Sequence, residues 1–308
     1  MYEYLLELLP ESVRTCRALY DYANGGYPVP VRAENHQLRM SELAEYRRKY
    51  DKLQFDPVEA PVADLLYSLV VNTRSAVVLE TGTSRGFSTS HLAAGAAVSG
   101  ESHARVITID KERLPHRFFE GSQIERLITP INDDSLTCNL GTATGGHEID
   151  FLFLDSYHNY AHLAGEVQRF LPKLRLGGML ALHDTFYYDG LGLVVLHLMR
   201  NEALETVSLS THRTHRNVNG GRSPGVTLFR KIAPVTSEQL RFPDLSGVAD
   251  REVVNISNSA SLLAQGGGHF ALHHYEAARQ AQLPKRGHSD PALLEPFGHA
   301  QHMRPTQC

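Results

Sequence analysis

The sequence predicts an α/β fold built on a doubly wound, mostly parallel sheet, and three observations carry that prediction. Short β-branched or apolar runs alternate with stretches of helical periodicity from residue 75 to residue 185. A glycine-punctuated turn, Thr81-Gly82-Thr83-Ser84-Arg85-Gly86, follows the first run. Two later runs end in acid: Phe151–Leu154 at Asp155, with His158 a short turn later, and Met179–Leu182 at His183-Asp184. Ligands of open α/β sheets bind beyond the carboxyl ends of the strands, so Asp155 and Asp184 are expected at one crevice.

Taken in order, residues 1–56 read as an N-terminal helical cap. The stretches YEYLLELL, VRTCRALYDYA and NHQLRMSELAEYRRKYDKL space apolar residues at helical intervals, around a loop marked by Gly25, Gly26, Pro28 and Pro30. The main domain is placed at 57–233. A helix from Pro57 to Asn72 comes first, then a strand at 75–80, the glycine turn and a helix through Val98. A second strand is predicted at 104–110, a helix over Arg113–Leu127 and a short strand at Ile128–Ile131. The strands ending at Asp155 and Asp184 follow, with a helix between them. A helix over 190–203 precedes two strands, 205–211 and 225–231, which predict a C-terminal antiparallel hairpin on the otherwise parallel sheet. Residues 234–308 form a C-terminal extension that is partly irregular. There, GGGHFALHHYEAARQAQ is predicted to hold one helix and the remainder reads as a tail.

Composition narrows the class. With 308 residues and 42% hydrophobic content the chain can bury a large core. No apolar run approaches the roughly 18–20 residues of a membrane span. The acidic start, with Glu3 and Glu7, is unlike a signal peptide. Cys16, Cys138 and Cys308 are far apart and lack metal-ligand spacing, as expected of reduced thiols in the cytoplasm. A net charge of −4 gives no basic footprint for nucleic acid. The expected partner is a small molecule, with no nucleic acid and no membrane, and a homo-oligomer is left open.

The glycine turn is more specific. Gly82 and Gly86 let the backbone turn sharply and come close to a ligand, and the helix start behind them favours an anionic group. Gly82-x-x-x-Gly86 has no middle glycine and no following Lys-Ser/Thr, so neither the dinucleotide fingerprint nor the phosphate loop is matched. Glu80, just before the turn, suits a ligand carrying an ammonium or sulfonium. The pattern Glu80-x-Gly82-x-x-x-Gly86-x-Ser88, with Asp110 ending the second strand and Asp134-Ser135 after the third, resembles class I S-adenosylmethionine-dependent methyltransferases. Leu154-Asp155-x-x-His158-x-Tyr160, then Pro172-x-Leu174-x-x-Gly177-Gly178 and His183-Asp184-Thr185, resembles the methyltransferase-24 group, relatives of metal-dependent catechol-type and macrocin-type O-methyltransferases. The resemblance covers residues 57–232.

It implies a Rossmann-like fold with the hairpin as its reversed last strand, and S-adenosylmethionine as cofactor. Glu80 and the backbone at Gly82 would hold the methionine ammonium and Ser88 its carboxylate, within a turn that includes Ser84 and Gly86. Asp110 would bind the ribose, and Asp134 and Ser135 would lie near adenine. Asp155 and Asp184 match carboxylates that bind a divalent metal, expected to be Mg²⁺, with Asp155 beside the cofactor, and His158 matches a general base. The expected activity is methyl transfer to a hydroxyl of a natural product or saccharide. Thr185 departs from the pattern, since relatives usually carry Asp or Asn there. The alternatives are a cephalosporin-hydroxylase-like enzyme of the same fold and a non-catalytic S-adenosylmethionine-binding module. Phe186-Tyr187-Tyr188 suits either stacking on a substrate or core packing, and His183 a supporting role.

Overall fold

A computed structural model of the chain describes residues 7–11, 13–14, 58–115, 117–141, 143–211 and 224–245. Seven strands form one sheet: β1 (Val77–Thr81), β2 (Arg105–Ile109), β3 (Ile128–Ile131), β4 (Ile149–Leu154), β5 (Leu174–His183), β6 (Leu204–Leu209) and β7 (Val226–Lys231). Their order is β3-β2-β1-β4-β5-β7-β6. The strands β3-β2-β1-β4-β5 pair in parallel, while β7 runs antiparallel to both β5 and β6. This is the doubly wound sheet with a reversed terminal hairpin. Of the segment joining β6 and β7, residues 212–223 lie outside the described residues.

Among the described residues four helices cover the sheet: α1 (Ala60–Asn72), α2 (Phe87–Val98), α3 (Tyr160–Phe170) and α4 (Asp189–Leu198). Successive strand side chains point to opposite faces, and the core divides accordingly. Val77 and Leu79 of β1 with Leu152 and Leu154 of β4 pack against Leu163, Val167 and Phe170 of α3 and Val194 and Leu198 of α4. Val78, Phe151 and Phe153 pack on the other face against Leu66 and Val70 of α1 and Leu92 of α2. All five β1 residues are buried, as a central parallel strand requires. At the amino edge, the Asp150 carboxylate accepts from the amides of Ala76 and Val77 and pairs with Arg175.

The structure corrects one element. The helix predicted over Arg113–Leu127 is absent among the described residues there, which form turns and a single 3-10 turn at Glu125–Leu127. Pro115 offers no amide to a helix, and Gly121 adopts φ 75°, so two breakers override the apolar periodicity. Strand β5 runs longer than predicted, with an irregular register opposite β4 between Ile149 and Phe151.

Of the N-terminal cap, only 7–11 and 13–14 are described; Leu9 and Val13 are buried against the α1–α2 face. Of the C-terminal extension, 234–245 is described. Leu240, Phe242 and Leu245 pack into the α3–α4 face, and the Tyr160 hydroxyl donates to the Pro243 carbonyl at 2.9 Å. Among the described residues no helix is long and apolar enough to cross a membrane.

Candidate active site

The carboxyl ends of β1, β2, β4 and β5 open on one cleft of about 410 Å³. It lies where the connections turn to opposite sides of the sheet, between β1 and β4. The glycine turn forms one wall. Gly82 has φ 88°, its amide donates to the Ile109 carbonyl at 2.8 Å, and a Cβ there would lie 2.1 Å from the Asp155 carbonyl oxygen. Only glycine lets this turn lie against the end of β4. Gly86, with φ 82°, closes the turn directly before α2.

Glu80 lies beneath the turn, fully buried and outside the lining of the cleft. Its carboxylate accepts hydrogen bonds from the hydroxyls of Ser88, Thr89 and Thr108. Burial pushes its pKa up to about 7 against the three hydroxyls that favour the charge. Ser88 lines the cleft but turns its hydroxyl to Glu80. Ser84 and Asp110 line the cleft together, the Ser84 amide donating to Asp110 Oδ2 at 2.8 Å. Asp134 and Ser135 also line it. Asp134 Oδ1 accepts from the Leu136 amide, and the Ser135 hydroxyl donates to Glu166 Oε1 at 2.6 Å.

Two residues at this end go beyond those the sequence singles out. His162 lines the cleft with Nε2 3.0 Å from Ser135 Oγ, and buried Glu166 also accepts from Ser156 Oγ at 2.6 Å. Their i, i+4 spacing on α3, just after the strand end, is the signal that could have found them.

At the other end, Asp155, His158 and Asp184 each offer one ligand atom, all within 4.8 Å of one another. His158 Nε2 is 3.2 Å from Asp155 Oδ1 and 3.5 Å from Asp184 Oδ2. Asp184 sits at φ 56°, a left-handed conformation that aspartate tolerates better than most residues. Beneath them lies His183, 2% exposed. Its Nδ1 is 3.3 Å from Asp155 Oδ1 and 3.5 Å from Asp184 Oδ1, while Nε2 donates to the buried Glu59 at 2.8 Å. Glu59 carries no sequence signal of its own, since 124 positions separate it from His183.

Burial works against charge throughout this cluster, but the groups compensate one another. The His183 charge, with hydrogen bonds from His158 and His183, holds the Asp155 carboxyl well below the usual carboxylate range. Burial opposes protonation of His183, yet Asp155, Asp184 and Glu59 raise its pKa well above the ordinary value. His158 is raised as well, by Asp155 and Asp184 against its own burial. Its ring is stacked on Tyr188 with centroids 4.8 Å apart, which fixes the direction of Nε2. Thr185 is buried, with its hydroxyl 3.0 Å from that of Thr227. Phe186 is exposed, and Tyr187 and Tyr188 line the cleft.

Two carboxylates and an imidazole on a cleft wall are a donor set that suits a divalent cation. His158 Nε2 is hydrogen-bonded to Asp155 Oδ1 at 3.2 Å, and the carboxylates of Asp155 and Asp184 come together at one point of the wall. The residues therefore fit a metal.

Residues 79–185 match the family model of a methyltransferase domain, the group to which the motifs point. No curated protein sequence matches the chain. Among solved structures, it is similar to the O-methyltransferase TomG of Streptomyces achromogenes, involved in tomaymycin synthesis and determined with S-adenosylmethionine. That similarity has 19% identity and a TM-score of 0.48, and covers 65% of this chain and 92% of that one. An O-methyltransferase of Bacillus cereus, in complex with S-adenosylhomocysteine, is 18% identical with a TM-score of 0.47, over 71% of this chain and 100% of that one. A methyltransferase of Geobacter sulfurreducens gives 19%, 0.47, 65% and 94%. Likeness at this level leaves cofactor, metal and acceptor to be argued from this chain's own residues.

Proposed function

We propose that the protein is an S-adenosylmethionine-dependent O-methyltransferase acting on a hydroxyl of a small molecule, of natural-product or saccharide type, with Mg²⁺ at the two carboxylates. One observation carries the reading: the glycine turn at Gly82–Gly86 and the cluster Asp155–His158–Asp184 open on the same cleft. Bound S-adenosylmethionine supplies an electrophilic methyl group, and a divalent cation supplies positive charge that lowers the pKa of an acceptor hydroxyl.

The chain's residues do the rest. Asp110 and Asp134 face the length of the cleft where ribose and adenine would lie, and Gly82 permits close approach of the methionine portion. In this reading Glu80 acts through Ser88 rather than by direct contact, since it lies beneath the turn. Asp155 and Asp184 hold the cation. His158 Nε2 takes the proton of the acceptor hydroxyl; once the carboxylates are committed to a cation, their pull on its imidazolium form is relieved. Tyr187 and Tyr188 offer aromatic faces to the acceptor beside this cluster. The compartment in this reading is the cytoplasm.

The test is incubation of the purified protein with S-adenosylmethionine labelled on the methyl group, Mg²⁺, and a panel of catechols, phenols and sugars. Label is expected in an acceptor and is expected to be lost with a chelator or in Asp155→Ala. Binding of S-adenosylmethionine with no labelled product across the panel, and indifference to Asp155→Ala, would instead assign the chain to binding modules.

A further inference from the structure

We propose that Glu59 is a positioning residue of the carboxylate cluster: it fixes the His183 ring, which in turn holds Asp155 and Asp184 in register. This rests on the reading of Asp155 and Asp184 as the metal-binding carboxylates.

Glu59 occupies the residue before α1, a position where a short side chain such as Ser, Thr, Asp or Asn ordinarily caps the first turn. Its side chain makes no such cap. The carboxylate turns inward instead and accepts from His183 Nε2 at 2.8 Å, with both side chains almost fully buried at 1% and 2% exposure. A local preference set aside at a buried charged residue points to a role beyond the helix.

The geometry of imidazole transmits the effect. The two ring nitrogens lie on opposite sides, so committing Nε2 to Glu59 orients Nδ1 toward Asp155 Oδ1 and Asp184 Oδ1 together. His183 ends β5 and pairs with Val226 of β7, so its backbone is held by the sheet, while the bond at Nε2 sets how the buried ring is turned. Glu59 supplies that bond. The same segment brings Val58 to the cleft wall, so the entry to α1 shapes the cleft as well as the cluster. Histidines beside metal centres behave in this way when a carboxylate fixes their orientation, and loss of the carboxylate typically lowers metal affinity by about 10–100-fold. Here the orienting chain is one residue longer, with the aspartates as ligands.

The experiment compares Glu59→Gln and Glu59→Ala with the wild-type full chain. Calorimetry measures Mg²⁺ and S-adenosylhomocysteine binding, and nuclear magnetic resonance follows the His183 ring nitrogens and the carboxyl carbons of Asp155 and Asp184. Glu59→Ala is expected to weaken Mg²⁺ binding by about 10-fold or more while S-adenosylhomocysteine affinity stays within about twofold. Glu59→Gln keeps an oxygen that accepts from Nε2 and is expected to restore part of the loss. If Glu59→Ala does not fold, Glu59→Gln decides: a wild-type Mg²⁺ affinity with an unmoved His183 signal overturns the proposal. Parallel loss of both ligands also overturns it, because that is the mark of a merely structural residue. Should the wild-type chain bind no Mg²⁺, the metal reading fails by itself. The positioning role is then decided by the Asp155 and Asp184 signals, which must move on removing Glu59.

Discussion

Single side chains at this cleft divide into those that face the ligand and those that hold them. His158 faces it, with Nε2 directed between two carboxylates and the ring stacked on Tyr188. Replacing it with alanine is expected to lower kcat by about 10²–10⁴-fold, the usual contribution of a positioned base, with Mg²⁺ affinity retained. If kcat and Mg²⁺ affinity fall together, His158 is a ligand and not the base. Glu80 is a holder, and its burial gives a distinct pH signature. Its folded pKa, about 7, stands above the ordinary 4.5, so its contribution to stability is fully present below pH 4.5 and is lost as pH rises through about 7. Each tenfold gain in proton affinity on folding is worth about 1.4 kcal/mol, so the loss is on the order of 3 kcal/mol. Glu80→Gln should remove that slope from urea-unfolding measurements carried from below the ordinary carboxyl range to above neutrality. An unchanged slope in the variant would show that Glu80 is not the titrating group. The sequence displays Asp155 and Asp184 because they end apolar runs, where chemistry sits in this kind of sheet, and His158 because it follows the first of them by a short turn. It does not display Glu59, which stands between Pro57 and Pro61 in a helix-start context and meets His183 only through the tertiary fold.

At the scale of elements, the β1–α2 turn is the part least able to change. A Cβ on residue 82 would lie 2.1 Å from the Asp155 carbonyl oxygen, and the backbone there is at φ 88°. Gly82→Ala should therefore cost more than the roughly 1–2 kcal/mol of a left-handed non-glycine residue alone, because the end of β4 must also move. Since that end carries Asp155, both thermal stability and S-adenosylhomocysteine affinity are expected to drop, and a variant retaining both would contradict the close packing of turn on strand. The strands are legible because Val77-Val78-Leu79 and Phe151–Leu154 are short apolar runs bounded by turn residues, as strands of a sheet buried on both faces are. The Arg113–Leu127 segment misleads because Phe118, Phe119 and Ile124 have helix-like spacing. They are buried against the α1–α2 face from a chain of turns instead, which Pro115 and Gly121 make possible.

For the whole molecule, strand order gives the functional asymmetry. The parallel strands all run toward the cleft, so the acids that end them, Asp110, Asp155 and Asp184, gather at one edge of the sheet. The opposite edge carries structural pairs such as Asp150 with Arg175. Alternation of strands and helices makes this arrangement predictable from the sequence, and the terminal hairpin is legible from two strand-like runs separated by a turn-rich segment. The pairing of Asp155 with Asp184 is expected from the sequence; how the two are held is not legible, since it depends on the left-handed backbone at Asp184 and on His183 beneath it. A cleft formed jointly by four strand ends should stabilise the entire domain when filled. S-adenosylhomocysteine at about 100 times its dissociation constant should add about 2.7 kcal/mol, seen as a rise in Tm of roughly 5–10 °C for a domain of about 200 residues. A nicotinamide dinucleotide should give no rise, because the turn at Gly82–Gly86 lacks the middle glycine that admits a pyrophosphate. A larger shift with the dinucleotide than with S-adenosylhomocysteine, measured by scanning calorimetry at matched saturation, would reverse the assignment of the cofactor.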